Sequence, residues 1–403
     1  MSAAETESKP TQNRIGRQVT KRLLTLCGMT LAAGIFANAW VCWPEATPAI
    51  PESVSRSEYD QAAEDFANIF RRQPTEADVI MMLAESAVRS NRNDVAVDCF
   101  AKIPSDHRLH GSSARLREAR LLLQLKKVDR AENSLREYLR LAEDSTSRKS
   151  EDVRLARELL VYILAVELRF EERKVVLQQM QEDRQFDVLY AKQFYFPALL
   201  ISRSTLGSSR LRDLLKQDPT NLRLLTAQAR HLVGEGKTGI AQRLLETLRR
   251  YNPADRVVIA VSLECCYELN NWSDFENILS MAPEFSDDEP WLLTQMRGEF
   301  AAHTQNWALA EKCFRQVLSA DPSNPTCHMG LSKVLNILGR AEERTLVQNR
   351  SLILARLRVI LPAADNRTPR AVRAVAEAAR MLQMDDAAAV FEMLADSMNG
   401  RVR

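Results

Sequence analysis

Apolar positions along this 403-residue chain recur at helical spacing. A small residue, a large apolar residue four positions on and a proline eight positions after that appear as Ala62, Phe66 and Pro74, as Ala241, Leu245 and Pro253, and as Ala310, Phe314 and Pro322. Gly207, Leu211 and Pro219 share the spacing, and the tracts ending in these prolines read RRQP, KQDP, RYNP and SADP. Residues four apart lie on one helix face, and proline ends a helix. The copies are themselves periodic. The steps from Ala62 to Ala96, Gly207 to Ala241 and Ala241 to Phe275 are identical, and those from Ala96 to Ala131 and Phe275 to Ala310 are one position longer. All sit close to a period of about 34 residues. A unit of that length holds two helices and a turn. It buries its apolar face only by stacking on its neighbours.

Two copies are the fullest. Leu222 to Pro253 contains Ala229, Leu232, Gly236, Ala241, Leu245 and Leu248. Trp291 to Pro322 contains Gly298, Ala301, Gln305, Ala310, Phe314 and Val317, with Trp307 ahead of the second helix and Trp272 matching it one copy earlier. Partial copies centre on Ala96 with Phe100, Ala131 with Leu135 and Ala387 with Phe391. In these residues the chain resembles the tetratricopeptide repeat family. The resemblance implies an all-α fold, a right-handed α-solenoid of helix–turn–helix repeats over 57–403, fullest at 222–253 and 291–322. It further implies that first helices line a concave groove holding a peptide or helix of a protein partner. On that basis the groove-facing candidates are Glu85, Arg89, Arg230, Glu264, Tyr267, Glu299, His303 and Lys333. A solvated helix face is the competing explanation for each. The Lys and Asn arrangement with which some relatives clamp a C-terminal carboxylate is not evident.

The pattern also breaks. Arg173 falls where a small residue is expected, well over one repeat length after Ala131, and the polar tract Glu143 to Asp152 reads as a long loop. Pro197 interrupts the helical stretch Val188 to Ser202 and should kink or break it. Arg344 and Ala387 are also too far apart for one repeat, with a loop at 362–369 between them. The array should open with a lone helix, begun by the capping-box pair Ser55 and Glu58.

Composition agrees with helix: 12 Gly and 15 Pro are too few for a turn-rich sheet protein. One segment stands apart. Leu23 to Trp43 carries no charge and is long enough to cross about 30 Å of hydrocarbon as a helix. Arg14, Arg17, Lys21 and Arg22 precede it, so the positive-inside rule places 1–22 in the cytoplasm and the repeats across the membrane. Ala37-Asn38-Ala39 also offers a signal-peptide cleavage site, which would leave the body secreted or periplasmic. A buried helix of a soluble domain is a third reading. Residues 44–56, with Pro44, Pro48 and Pro51, form a stiff linker.

Net charge is +2, of which the segment 1–22 supplies +3, so the remainder is near neutral at −1. A nucleic-acid partner is therefore not expected. His107 and His110 form H-x-x-H without a third ligand, and no C-x-x-C occurs. Cys99, Cys265, Cys266 and Cys313 fall in helices and read as small buried hydrophobes. Cys313 and Cys327, on consecutive helices, could pair. Gly234-Glu235-Gly236 reads as a helix–helix turn rather than a phosphate cradle, and Asp287-Asp288 and Asp385-Asp386 as helix starts. No catalytic motif, metal site or cofactor is expected. The function to expect is a membrane-tethered interaction scaffold, or an accessory subunit of an envelope enzyme or secretion complex. An enzyme of helical-toroid type would need converging carboxylates or histidines.

Overall fold

A computed structural model describes residues 77–143, 150–200, 205–286 and 288–400, and every regular element among them is helical. The copy at Ala62, Phe66 and Pro74, the Ser55 cap, the uncharged stretch 23–43 and the linker 44–56 lie outside the described residues. Among the described residues no helix is long and apolar enough to cross a membrane.

Two compact units divide between Arg92 and Asn93, where the sequence reading runs one array from 57 to 403. In the first unit α1 (Ala77–Arg89) buries Ile80, Met81, Ala84 and Ala87 on one face. It ends in a left-handed Asn91 (φ 59°), beyond which the Arg92 N–H reaches back to the Ala87 carbonyl at 2.8 Å.

The second unit holds α2 (Asn93–Lys102), α3 (Gly111–Gln124), α4 (Val128–Glu143), α5 (Glu151–Val166), α6 (Phe170–Glu182), α7 (Val188–Tyr195) and α8 (Pro197–Leu200). It continues with α9 (Thr205–Leu215), α10 (Leu222–Gly234), α11 (Thr238–Tyr251), α12 (Arg256–Glu268), α13 (Trp272–Leu279), α14 (Trp291–His303) and α15 (Trp307–Ala320). α16 (Pro325–Ile337), α17 (Ala341–Ile360), a 3-10 turn (Leu361–Ala363), α18 (Pro369–Met381) and α19 (Asp385–Gly400) complete it.

The small–large pattern is a packing rule. Ala96, Ala131, Ala241 and Ala310, each the fourth residue of a second helix, are fully buried, and so are Phe100, Leu135, Leu245 and Phe314 four positions later. Phe314 shows why first helices carry small residues. A Cβ on Gly298 of α14 would come within 2.9 Å of the Phe314 ring, and one on Gly330 of α16 within 2.5 Å. One phenyl ring thus fills space that glycines on two successive first helices leave open.

The turns repeat as strictly as the helices. Gly236 (φ 76°), Asn270 (52°), Gln305 (62°) and Gly339 (72°) are left-handed, and their spacing keeps the period of the helix pairs to within one position. After each, the next N–H bonds the carbonyl five positions back: Lys237 to Leu232, Asn271 to Cys266, Asn306 to Ala301 and Arg340 to Leu335. This is the Schellman closure of a helix C-terminus. The side chains of Asn221, Asp255, Asn271, Asn306 and Asn324 cap the following helices.

Between α5 and α8 the order changes. The left-handed Leu168 follows Lys126 by more than a full repeat, because α4 and α5 are separated by the polar tract after Glu143. Arg184 then makes the same turn less than half a repeat further on, so α6 has a tight hairpin at each end. Pro197 breaks the helix, with Phe196 at φ −132°, ψ 47° between α7 and α8. α7 and α8 pack against α17–α19 in one apolar core that includes Val188, Phe196, Leu357, Val375 and Phe391. Phe196 stacks on Phe391 at 5.9 Å, and the buried Lys192 ammonium donates to the carbonyls of Leu361 and Ala364 at 3.1 and 2.5 Å.

One reading is corrected. Asp288 lies ahead of α14, which begins at Trp291, and so is not in a first helical turn; Asp287 is outside the described residues. The copy at Ala387 and Phe391 holds: both are buried in α19, four positions apart.

Candidate functional site

The first helices α10, α12, α14 and α16 touch one another in succession and form an inner layer. Arg230, Glu264, Glu299 and Lys333 occupy equivalent places on them, one per repeat. Their charges cancel, and they engage one another across the helices. Arg230 Nε meets Glu264 Oε2 at 2.9 Å. The Tyr267 hydroxyl donates to the Glu299 carboxylate, which also faces Lys333. Burial raises the Tyr267 pKa to about 12 and pushes Glu299 upward, with Lys333 and Tyr267 opposing the shift in Glu299. His303 is exposed and stacks face to face on the Trp272 indole at 3.9 Å, while Tyr267 meets that indole edge-on at 5.9 Å. Glu85 and Arg89 belong to α1 in the first unit, where they form an ion pair at 3.7 Å.

One side of this layer is covered by the chain itself. Pro290 provides no side-chain cap for α14; instead Glu171 of α6 accepts the Trp291 N–H at 2.7 Å. Lys174, one turn along α6, donates to the Ala320 carbonyl in the last turn of α15 at 2.5 Å. Anion at a helix start and cation at a helix end is the sense the helix dipole favours. The Arg230 guanidinium lies 5.5 Å from the Phe170 ring centre, and the Lys174 ammonium 5.6 Å from that of Trp291. Arg173, in the small-residue position, is buried. Its pKa is pushed down to about 10 by that burial, with Asp321 and Glu171 opposing. Of the groove candidates, Arg230 is thus packed against Phe170. The repeat pattern does not mark Glu171 and Lys174 as site residues, and Arg173 stands out in it only as a fault.

An ionic hub holds α6 in place. Arg169 pairs with Glu132 at 2.6 Å and with Glu167 and Glu172 at 2.7 Å, and Arg223 of α10 reaches Glu132 at 2.8 Å. Burial works to raise the Glu132 pKa, but the hydrogen bonds from Arg169 and Arg136 outweigh it and hold the group below the usual range. Glu167 is sealed from solvent. Burial lifts its pKa to about 7 despite Arg169, and its Oε1 has no hydrogen-bond partner.

Between α6 and the inner layer remains a cavity of ≈ 240 Å³. Phe170 and Pro197 bound it on one side, and Ala227, Val257, Val261 and Trp291 on the other.

The His107 and His110 rings stack at 5.3 Å, and the His110 N–H donates to His107 Nδ1 at 3.2 Å. Cys99, Cys265, Cys266, Cys313 and Cys327 are all buried and none is in a disulfide, so Cys313 and Cys327 are not bridged. Among the described residues no three His, Cys, Asp or Glu side chains are grouped to hold a metal ion.

The class these features define is an all-helical stack of paired-helix repeats. The tetratricopeptide repeat family model matches residues 81–147, the stretch that holds the partial copies at Ala96 and Ala131. Similar solved structures include a tetratricopeptide repeat protein from Parabacteroides merdae, at 12% identity, 70% coverage of this chain, 93% of that chain and a TM-score of 0.29. Another is the human IFIT1 dimer with m7Gppp-AAAA, at 10% identity, 86% and 83% coverage and a TM-score of 0.37. No curated protein matches the chain.

Proposed function

We propose that this protein is a non-enzymatic scaffold for protein–protein assembly. It is tethered to a bacterial envelope membrane by residues 23–43, with the N-terminus cytoplasmic and the repeats on the far side. Cleavage after Ala39 would instead release the repeats as a secreted or periplasmic protein. It takes a protein or peptide partner, and neither cofactor nor nucleic acid. The observation that supports this reading is the line of Arg230, Glu264, Glu299 and Lys333 on four successive first helices, with Tyr267 and His303 beside it. Side chains repeated at fixed intervals along a solenoid suit an extended partner.

Photo-crosslinking in intact cells tests it. A photoreactive residue at His303 or Lys333 should give a discrete adduct, and one at Leu352, exposed on α17, should not. Adducts from neither groove position would sink the scaffold reading. Adducts with a single envelope enzyme would favour an accessory subunit. Protease reaching a C-terminal tag from the cytoplasmic side alone would overturn the topology.

A further inference from the structure

We propose that the exposed face of α17, with the corner where α17 gives way to α18, rests on the surface of an anionic lipid bilayer. This face is separate from the groove, and the inference does not depend on residues 23–43.

Between Glu343 and Glu377 the chain carries seven arginines and a single acid, Asp365. Arg344, Arg350 and Arg373 are engaged by Asn336, Gln383 and Asp396 at 2.5, 2.6 and 2.8 Å. Asp365 accepts from the Arg367 N–H and the Thr368 hydroxyl and lies near the Arg367 charge. Arg356, Arg358 and Arg370 are exposed, with no ion pair or side-chain hydrogen bond among the described residues. Other exposed arginines of this unit find carboxylates: Arg315 and Arg340 share Glu311 and Glu343, and Arg380 meets Glu392. The three at this corner are left for something outside the chain.

α17 buries Val347, Leu354 and Leu357. On its opposite side Leu352, Ala355 and Val359 line up at helical spacing, and Leu352 is 64% and Val359 78% exposed. Register sets Arg356 on one flank of this stripe and Arg358 on the other. A helix with aliphatic side chains standing out between basic ones suits a membrane interface. The apolar side chains reach the acyl boundary, and each guanidinium fork matches a lipid phosphate. A nucleic acid would call for aromatic side chains to stack on its bases, and none lies between Glu343 and Glu377. A second copy would set arginine against arginine. A face turned to lipid also gives no protein adduct from Leu352.

A fluorescent amino acid of environment-sensitive emission, placed at Val359 of the full-length chain, tests the assignment. The chain is assembled with nanodiscs of phosphatidylcholine, with or without phosphatidylglycerol. Emission should shift to the blue only with phosphatidylglycerol, and high salt should remove the shift. The same probe at Met329, exposed on the inner helix α16, should not respond. Arg356→Glu, Arg358→Glu and Arg370→Glu together should abolish the Val359 shift at an unchanged thermal midpoint. An equal shift in phosphatidylcholine alone, no shift with phosphatidylglycerol, or a shift that the triple variant retains overturns the proposal. So does an equal shift drawn by poly-glutamate in neutral nanodiscs, which would assign the face to an acidic protein. Co-elution with neutral nanodiscs reports the tether and crosslinking from His303 and Lys333 reports the groove, so each claim fails separately.

Discussion

α10–α17 and α5–α8 use the same helices and the same turns to opposite ends. In the first region a left-handed residue comes once per repeat, from Gly236 to Gly339, and capping side chains such as Asn306 and Asn324 sit just ahead of their own helices. In the second, Leu168 and Arg184 place two such turns within half that distance, and an arginine takes the small-residue position. A turn made half a repeat early changes what the next helix can reach. α6 supplies, through Glu171 and Lys174, the charges that complete α14 and α15 at distances of 120 and 146 residues along the chain. α7 and α8 enter the core of the C-terminal helices. Regular repeats lean on neighbours in sequence; the irregular segment ties distant repeats together.

The comparison can be broken most forcefully at Phe196. It is fully buried against Phe391, so Phe196→Ala should cost about 3–5 kcal/mol. Because the contact joins the irregular segment to the C-terminal helices, hydrogen exchange should speed up in α18 and α19 as well as in α7. Unchanged protection in α18 and α19 would refute the long-range tie.

Glu167 sharpens the contrast through pH. Burial holds its folded pKa at about 7, above the usual 4.5, so the folded protein keeps that proton more tightly than the unfolded chain. Its contribution is favourable below about pH 4.5 and is lost as pH rises through 7. At roughly 1.4 kcal/mol per pH unit this amounts to as much as about 3 kcal/mol. Glu167→Gln is neutral throughout and should be more stable than wild type at pH 8, with a flatter profile from pH 5 to 8 by thermal melting. Parallel profiles for the two proteins would refute the buried-acid account.

Within the regular region, Gly330→Ala gains about 1 kcal/mol of helix propensity. It also sets a Cβ within 2.5 Å of the Phe314 ring. Overpacking costs about 1–3 kcal/mol, so a net loss of stability is expected on denaturation. The faster exchange should stay within α14–α17, unlike that of Phe196→Ala. The smallest effect belongs to Lys333→Ala. Lys333 is exposed, and stability should change by less than about 0.5 kcal/mol while partner crosslinking falls. A large stability loss would mean that the charged line serves the fold rather than a partner.

Legibility followed locality. The helix pairs show in the sequence because a buried Ala followed four positions later by a buried Phe or Leu is a requirement internal to each pair, as at Ala310 and Phe314. The break at Pro197 shows because proline acts on its own backbone. The turns are half visible: Gly236 and Gly339 carry the expected residue, but Asn270, Gln305, Lys126 and Leu168 adopt the same φ under constraint from the helices they join. Glu171 and Lys174 look like ordinary exposed charges of an amphipathic helix, since nothing near them in sequence reveals the helix ends they meet. The groove candidates follow from register alone, and register does not reveal that Phe170 lies against Arg230.

The sequence by itself determined that this is a chain of paired helices and where most pairs begin and end, because periodic burial and proline stops act within a few turns of backbone. Tertiary structure decided which helices meet. The early turn at Arg184 sends α7 and α8 into a core they share with α17–α19 and lays α6 across the inner helices. That outcome depends on electrostatic and apolar contacts between parts of the chain far apart in sequence, which no local pattern encodes.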